Sequence, residues 1–204
     1  MMKGPLFYSK ILLFGEYGII EDSKGLSIPY NFFKGALKLP DSPSEKSKQS
    51  NLILIDFCSY LKQIGDLDLD LILFEKHINE GLYFDSSIPK GYGVGSSGAL
   101  VAAVYDKYSN NKITVLENLT REKLLKLKII FSKMESFFHG KSSGLDPLNS
   151  YLSIPILIKS KDDINVTGIP SQKSKGAGAV FLLDSGKTGS TAPMVSIFME
   201  KMKS

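Results

Sequence analysis

From Leu6 to Ile20 apolar, β-favouring residues run almost unbroken and then break at Gly15 and Gly18, which predicts a strand, a turn and a second strand. Further along the period changes. NLILIDFCSYLKQIG (51–65) spaces its apolar residues as a helix and stops at Gly65. LDLDLILFEK (67–76) alternates as a strand does, and EGLYFDSSIPKG (80–91) supplies another strand and a turn. Residues 99–108 and about 121–138 read as helices, the second with Leu127, Ile130, Phe131, Met134 and Phe138 along one stripe. GAGAVFLLDSG (176–186) reads as a buried strand followed by a turn, and APMVSIFMEKMKS (192–204) as a helix. The polar stretch PDSPSEKSKQSN (40–51) reads as a surface loop, an excursion rather than a domain boundary. No internal repeat is present. Strands that lead, helices that follow a glycine loop and strands that return predict a mixed α+β architecture rather than a parallel Rossmann sheet.

Composition narrows the class without naming a function. The 204 residues are 43% hydrophobic, enough to bury a core. The 25 basic and 21 acidic side chains leave a net charge of +4 with the lysines scattered, which argues against a nucleic-acid or polybasic membrane surface and leaves room for a small anionic ligand. No apolar run approaches the roughly 20 residues that cross a bilayer, and the N-terminus lacks a small-residue cleavage site, so a cytoplasmic chain is expected. The single cysteine, Cys58, excludes an intrachain disulfide and reads as a packed thiol.

Lys10 breaks the pattern of its strand. With a period of two it shares a face with Tyr8, Leu12 and Phe14, so an amine falls among apolar neighbours; an edge lysine snorkelling to water would account for it. A second anomaly is PKGYGVGSSGAL (89–100). Glycines at 91, 93 and 95 free the backbone for positive φ and close approach to a ligand, and Ser96 and Ser97 then open a helix that either can cap. The amides of such a first turn, with the helix dipole, form an anion site, and the hydroxyls could reach a magnesium ion bridging phosphates. A plain glycine-rich turn is the other reading. The stretch is not a Walker A loop, because no Lys-Ser/Thr pair follows the last glycine, and no acidic residue at a strand end follows at the dinucleotide spacing.

MESFFHGKSSGLDPLNSY (134–151) adds charge. Glu135 lies four residues from Phe131 and three from Phe138, so its carboxylate borders an apolar stripe and wants a cation. The helix should end at Gly140. Asp146 then falls in a turn, where Gly144 permits an unusual backbone angle and Pro147 favours an extended Asp146, which would aim the carboxylate; an ordinary surface turn with Asp146 bonded to its own backbone is the alternative. Neither His77 nor His139 has a second histidine or cysteine at ligand spacing, and His139 reads as a helix C-terminal residue favoured by the dipole.

Taken in order, KILLFGEYGII (10–20), IPKGYGVGSSGAL (88–100) and ESFFHGKSSGLDPLNS (135–150) resemble motifs of the GHMP kinases, and within that family the mevalonate kinases above all. The resemblance implies the GHMP kinase fold: a ribosomal protein S5 domain 2-like ATP-binding domain over 1–160, and the start of an incomplete C-terminal α+β substrate-side domain over 161–204. It implies an ATP- and magnesium-dependent kinase of small hydroxy acids, with mevalonate the first acceptor, in isoprenoid precursor synthesis. Lys90, Gly91, Gly93, Gly95, Ser96, Ser97 and Gly98 would bind the nucleotide, and Ser97 and Glu135 the metal. Asp146 would take the proton from the acceptor hydroxyl with Lys10 beside it. Glu16, Tyr17 and Thr191 would line the acceptor, Thr191 within LLDSGKTGSTAPMV (182–195), which is similar to the family's late Asp-Thr-Gly turn and threonine. A homodimer is compatible with the resemblance; nucleic-acid and membrane partners are not expected.

The chain departs from the family in three places. Tyr17 stands where mevalonate kinases usually carry histidine, close to the acceptor; Val94 and Gly98 replace a leucine and an alanine in the loop; and the family's third glycine-rich motif has no counterpart before Ser204. The last departure predicts a fragment that exposes an apolar face and is inactive beside a longer form. Another GHMP activity (phosphomevalonate kinase, mevalonate diphosphate decarboxylase or a sugar kinase) is the competing enzymatic reading. A non-catalytic ligand-binding relative is the third, and it predicts loss of Lys10, Glu135 or Asp146, all of which are present.

Overall fold

The computed structural model describes residues 5–114, 119–168, 182–184, 186–189 and 191–202. A five-stranded antiparallel sheet forms one layer, with strands β1 (Phe7–Phe14), β2 (Gly25–Lys38), β3 (Tyr83–Ser86), β4 (Ile156–Ser160) and β5 (Asp163–Val166). Helices α1 (Glu45–Ile64), α2 (Leu71–Asn79), α3 (Ser96–Tyr108), α4 (Arg121–His139) and α5 (Leu145–Leu152) supply the rest of the core, and α6 (Thr191–Met202) comes last. The mixed α+β architecture expected from the strand-helix-strand order is present. The sheet order is β1-β2-β4-β5, with β3 paired to the far end of β2 through Gly35↔Ser86 to Lys38↔Tyr83. The hairpin β4-β5 pairs Ile156 with Val166 and Ser160 with Asp163.

Four local readings of the sequence are corrected. The second strand does not follow Gly15: Tyr17 adopts φ 60° and Gly18–Glu21 close a 3-10 turn, so the strand begins at Gly25. The alternating LDLDLILFEK is helical from Leu71, because the Asp70 side chain accepts the Leu73 amide at 2.9 Å and caps a turn there. The polar 40–51 stretch is only partly loop. Ser44 and Ser47 exchange side chain-to-amide bonds in a capping box that starts α1 at Glu45. Asp146 lies inside the first turn of α5 rather than in an extended turn, since Pro147 at the third helical position lacks only an amide that has no intrahelical partner there. The strand read over 176–186 lies largely outside the described residues.

The core is built around α3, whose Ala99–Tyr105 are all buried. Alanines at 99, 102 and 103 let α5 and the sheet approach closely on one side, while Tyr105, Phe131 of α4 and Tyr151 of α5 meet edge to face with ring centroids 5.0 to 5.5 Å apart. Cys58 packs into this core as expected, its thiol pushed up by burial. Because α3, α4 and α5 share one interior, the residues at their ends are held in fixed relation, and the starts of α3 and α5 meet β1 at Lys10.

Candidate active site

The site grows from the seam between β1 and the glycine loop. The Lys10 amide donates to the Val94 carbonyl at 3.0 Å, stitching strand to loop. Gly91, Gly93 and Gly95 take φ 80°, 68° and 82°, the left-handed angles anticipated for them. Gly95 is itself the N-cap of α3, and no side chain caps that helix. Ser96 and Ser97 therefore do not serve as caps, and Ser97 turns elsewhere: its hydroxyl donates to Glu135 Oε1 at 3.1 Å and lies 3.0 Å from His139 Nε2.

Lys10 is buried at 8% exposure, so it is not a snorkelling edge lysine. Its face is buried only locally, since Phe14 at the strand end is 67% exposed. The ammonium Nζ lies 2.9 Å from Asp146 Oδ1. Burial pushes this ammonium down, but Asp146, Glu16 and Glu135 together outweigh it and hold the lysine above its ordinary range. Asp146 is presented by the first turn of α5, and Gly98 makes the approach possible. A Cβ at position 98 would stand 2.7 Å from the Asp146 carbonyl carbon and 3.0 Å from its Cβ. Any side chain at position 98 would therefore force α3 and α5 apart.

Glu135 is 3% exposed and borders the apolar stripe of α4 as its spacing implied. Burial first, then the charge of Asp146, push its carboxyl up to about 7 against the pull of Ser142, Ser97 and Lys10. Ser142 donates to Glu135 Oε2 and accepts the Gly144 amide at 3.0 Å, so the loop between α4 and α5 folds back on the carboxylate. Ser142 and His139 belong to this network although the sequence reading gave them no part in it. The signal for His139 was the four-residue step from Glu135, which puts both on one face of α4.

The raised Glu135 sets a sign. A carboxyl that titrates near 7 when folded and near 4.5 when unfolded contributes most stability below the unfolded value, and that contribution is lost as pH rises through the folded one. Relative to the parent, Glu135→Gln should gain about 3 kcal/mol between about pH 4.5 and about pH 7, and no more above that. Urea denaturation of both proteins at matched pH measures it; a difference that does not change with pH contradicts the shift.

Among the described residues no three His, Cys, Asp or Glu side chains gather as a metal cage. What is present is one buried carboxylate short of countercharge, with the hydroxyls of Ser97 and Ser142 bonded to it. That donor set suits magnesium, which keeps several waters and takes one or two protein oxygens plus phosphate oxygens. The remaining expected site residues are more dispersed. Lys90 is exposed where the glycine loop begins, and Glu16 is exposed but near enough to act on Lys10. Tyr17 is half-buried, its ring 5.9 Å from Phe198 of α6. Thr191 is the first residue of α6, and its side chain lies outside the described residues. Beside the loop a cleft of about 430 Å³ is lined by Tyr30, Phe33, Pro89, Tyr92 and Leu182 among others.

Residues 59–153 match the family described as the GHMP kinases N terminal domain, a segment that holds the glycine loop, Glu135, His139 and Asp146 but not Lys10. No curated protein matches the chain. Among solved structures it is similar to L. major mevalonate kinase in complex with R-mevalonate, at 16% identity and a TM-score of 0.53, over 100% of this chain and 62% of that one. Methanococcus jannaschii mevalonate kinase aligns at 15% identity and a TM-score of 0.46, over 80% of this chain and 55% of that one. Mevalonate kinase from methicillin-resistant Staphylococcus aureus aligns at 19% and 0.44, over 79% and 53%. The chain thus spans less than two thirds of the length of each. Among the described residues no helix is long and apolar enough to cross a membrane.

Proposed function

We propose that this chain, whose residues 59–153 match the GHMP kinases N terminal domain, belongs to an ATP-dependent kinase that phosphorylates a small hydroxy acid, with the primary hydroxyl of mevalonate as acceptor and 5-phosphomevalonate as product. The observation that carries the reading is the Lys10–Asp146 pair at 2.9 Å, close enough to the Ser97–Glu135 pair for Lys10 and Asp146 both to act on the Glu135 carboxyl. Phosphoryl transfer asks mainly for positioning and for neutralisation of charge. The uncapped amides of α3 and the left-handed glycines before them offer a cradle for phosphate oxygens. Tyr30, Phe33 and Tyr92 in the neighbouring cleft offer ring faces for a base.

In this reading Asp146 accepts the proton of the acceptor hydroxyl as its oxygen bonds the γ-phosphorus, and the bond from that phosphorus to the β,γ-bridging oxygen breaks to release ADP. Lys10, paired with Asp146, stabilises charge growing on the attacking oxygen. Ser97 and Glu135 would hold magnesium, which when bound offsets the charge of the β- and γ-phosphates. Mevalonate leads because the motifs resemble those of mevalonate kinases, and the L. major structure similar to this chain holds R-mevalonate.

Tyr17 favours a second reading. Its ring against Phe198 gives the acceptor side an aromatic wall where mevalonate kinases carry a histidine, so another GHMP acceptor stays in contention. ADP release measured with ATP and magnesium against mevalonate, phosphomevalonate, homoserine and galactose tests both. Mevalonate-dependent release, strongest in a longer form of the chain, is the expected result; release with a different acceptor reassigns the substrate, and release with none from the longer form ends the kinase reading.

A further inference from the structure

His139 is the last residue of α4, exposed to solvent, and its Nε2 lies 3.0 Å from Ser97 Oγ. Its backbone is fixed, because Gly140 takes φ 70° and returns its amide to Ser136 at 2.8 Å. The ring is anchored in the chain but contributes little to the core. Among the described residues its one polar contact is with a hydroxyl that also faces Glu135.

Proton counting shows what that contact does. The Ser97 hydroxyl has one proton and two neighbours, Glu135 Oε1 at 3.1 Å and His139 Nε2. Glu135 Oε2 already receives the Ser142 hydroxyl. With Glu135 as carboxylate, Ser97 donates to it, and the Nε2–H of His139 donates to Ser97. One lone pair of Ser97 is thereby used and its proton direction is set, which leaves its other lone pair for a ligand. Remove the imidazole, and the hydroxyl is held from one side only.

We propose that His139 is the positioning residue of the Ser97 hydroxyl, the group that orients Ser97 beside Glu135 to receive a divalent cation. The proposal rests on the metal-assisted kinase reading above. It assigns His139 no contact with substrate or phosphate.

The test is Mn²⁺ binding to the whole chain with ADP present, read by the electron paramagnetic resonance of free Mn²⁺. His139→Ala should weaken binding by about 10- to 100-fold, the usual effect of losing a group that orients a metal ligand. His139→Gln, whose amide nitrogen can stand in for Nε2, should restore most of it. Because the site is exposed, added imidazole should also restore binding to His139→Ala, which a loss of folding would not permit. Parental affinity in His139→Ala, or a Gln variant and an imidazole-treated Ala variant as weak as untreated Ala, overturns the proposal. Glu135→Gln separates the two levels: if it binds Mn²⁺ like the parent, the metal reading of the site fails, whereas if only His139→Ala is unaffected, the His139 role fails alone.

Discussion

In the proposed kinase, asparagine at position 146 should leave ATP binding unchanged and lower phosphoryl transfer by about 10²- to 10⁴-fold. Asparagine matches aspartate in shape and can still accept from Lys10 Nζ, which now lies 2.9 Å from Oδ1, so the first turn of α5 and its packing on Gly98 are kept. Its amide oxygen, however, cannot take up a proton from an alcohol. The loss is confined to the step in which that proton moves, so kcat and kcat/KM should fall together while the nucleotide dissociation constant holds. Steady-state kinetics with the accepted substrate, beside calorimetric titration of ATP, reads both. An unimpaired Asn variant removes Asp146 from the role of base.

Gly144→Ala should cost about 3 kcal/mol or more in stability and take the site with it. Gly144 has φ 75°, and a Cβ there would stand 2.2 Å from the Lys128 carbonyl oxygen and 2.7 Å from the Ser132 amide nitrogen. Both are backbone atoms of α4, so no side chain can swing aside. Relief requires that the start of α5 move off α4, which separates Asp146 from Glu135 and breaks the bond from the Gly144 amide to Ser142. Gly140→Ala is the control, since a Cβ there meets nothing within 4 Å and only its φ of 70° is strained. Urea midpoints for the two variants should differ widely; equal midpoints would show that the contact yields more easily than its geometry implies.

Elements with a full amphipathic period were legible in the sequence. α3 and α4 fall within a few residues of their expected spans, and the burial of Glu135 followed from its spacing to Phe131 and Phe138. Where local capping competes with periodicity the reading failed. LDLDLILFEK alternates for only four residues before the apolar run begins, and the Asp70 cap decided for helix. A serine pair did the same at Ser44 and Ser47. Lys10 was legible as an anomaly, but its partner stands 136 positions later, and no periodic rule connects β1 to α5. Ser96 or Ser97 could have capped their own helix, but a left-handed glycine occupies the capping position and the Ser97 hydroxyl meets Glu135 and His139 of another helix.

The bond from the Lys10 amide to Val94 also divides the glycine loop mechanically. Its root, Val94 and Gly95, is buried and moves only if β1 moves, and β1 carries the lysine. Its tip is different: Tyr92 and Gly93 are exposed, and a side chain at 93 would meet nothing within 4 Å. Amide hydrogen exchange should thus be slow at Lys10 and fast at Tyr92 and Gly93. In the proposed kinase a nucleotide arriving at the loop would bend its tip while the lysine below stays in register with Asp146, so that capture and chemistry would be served by two ends of one short segment with separate stiffness.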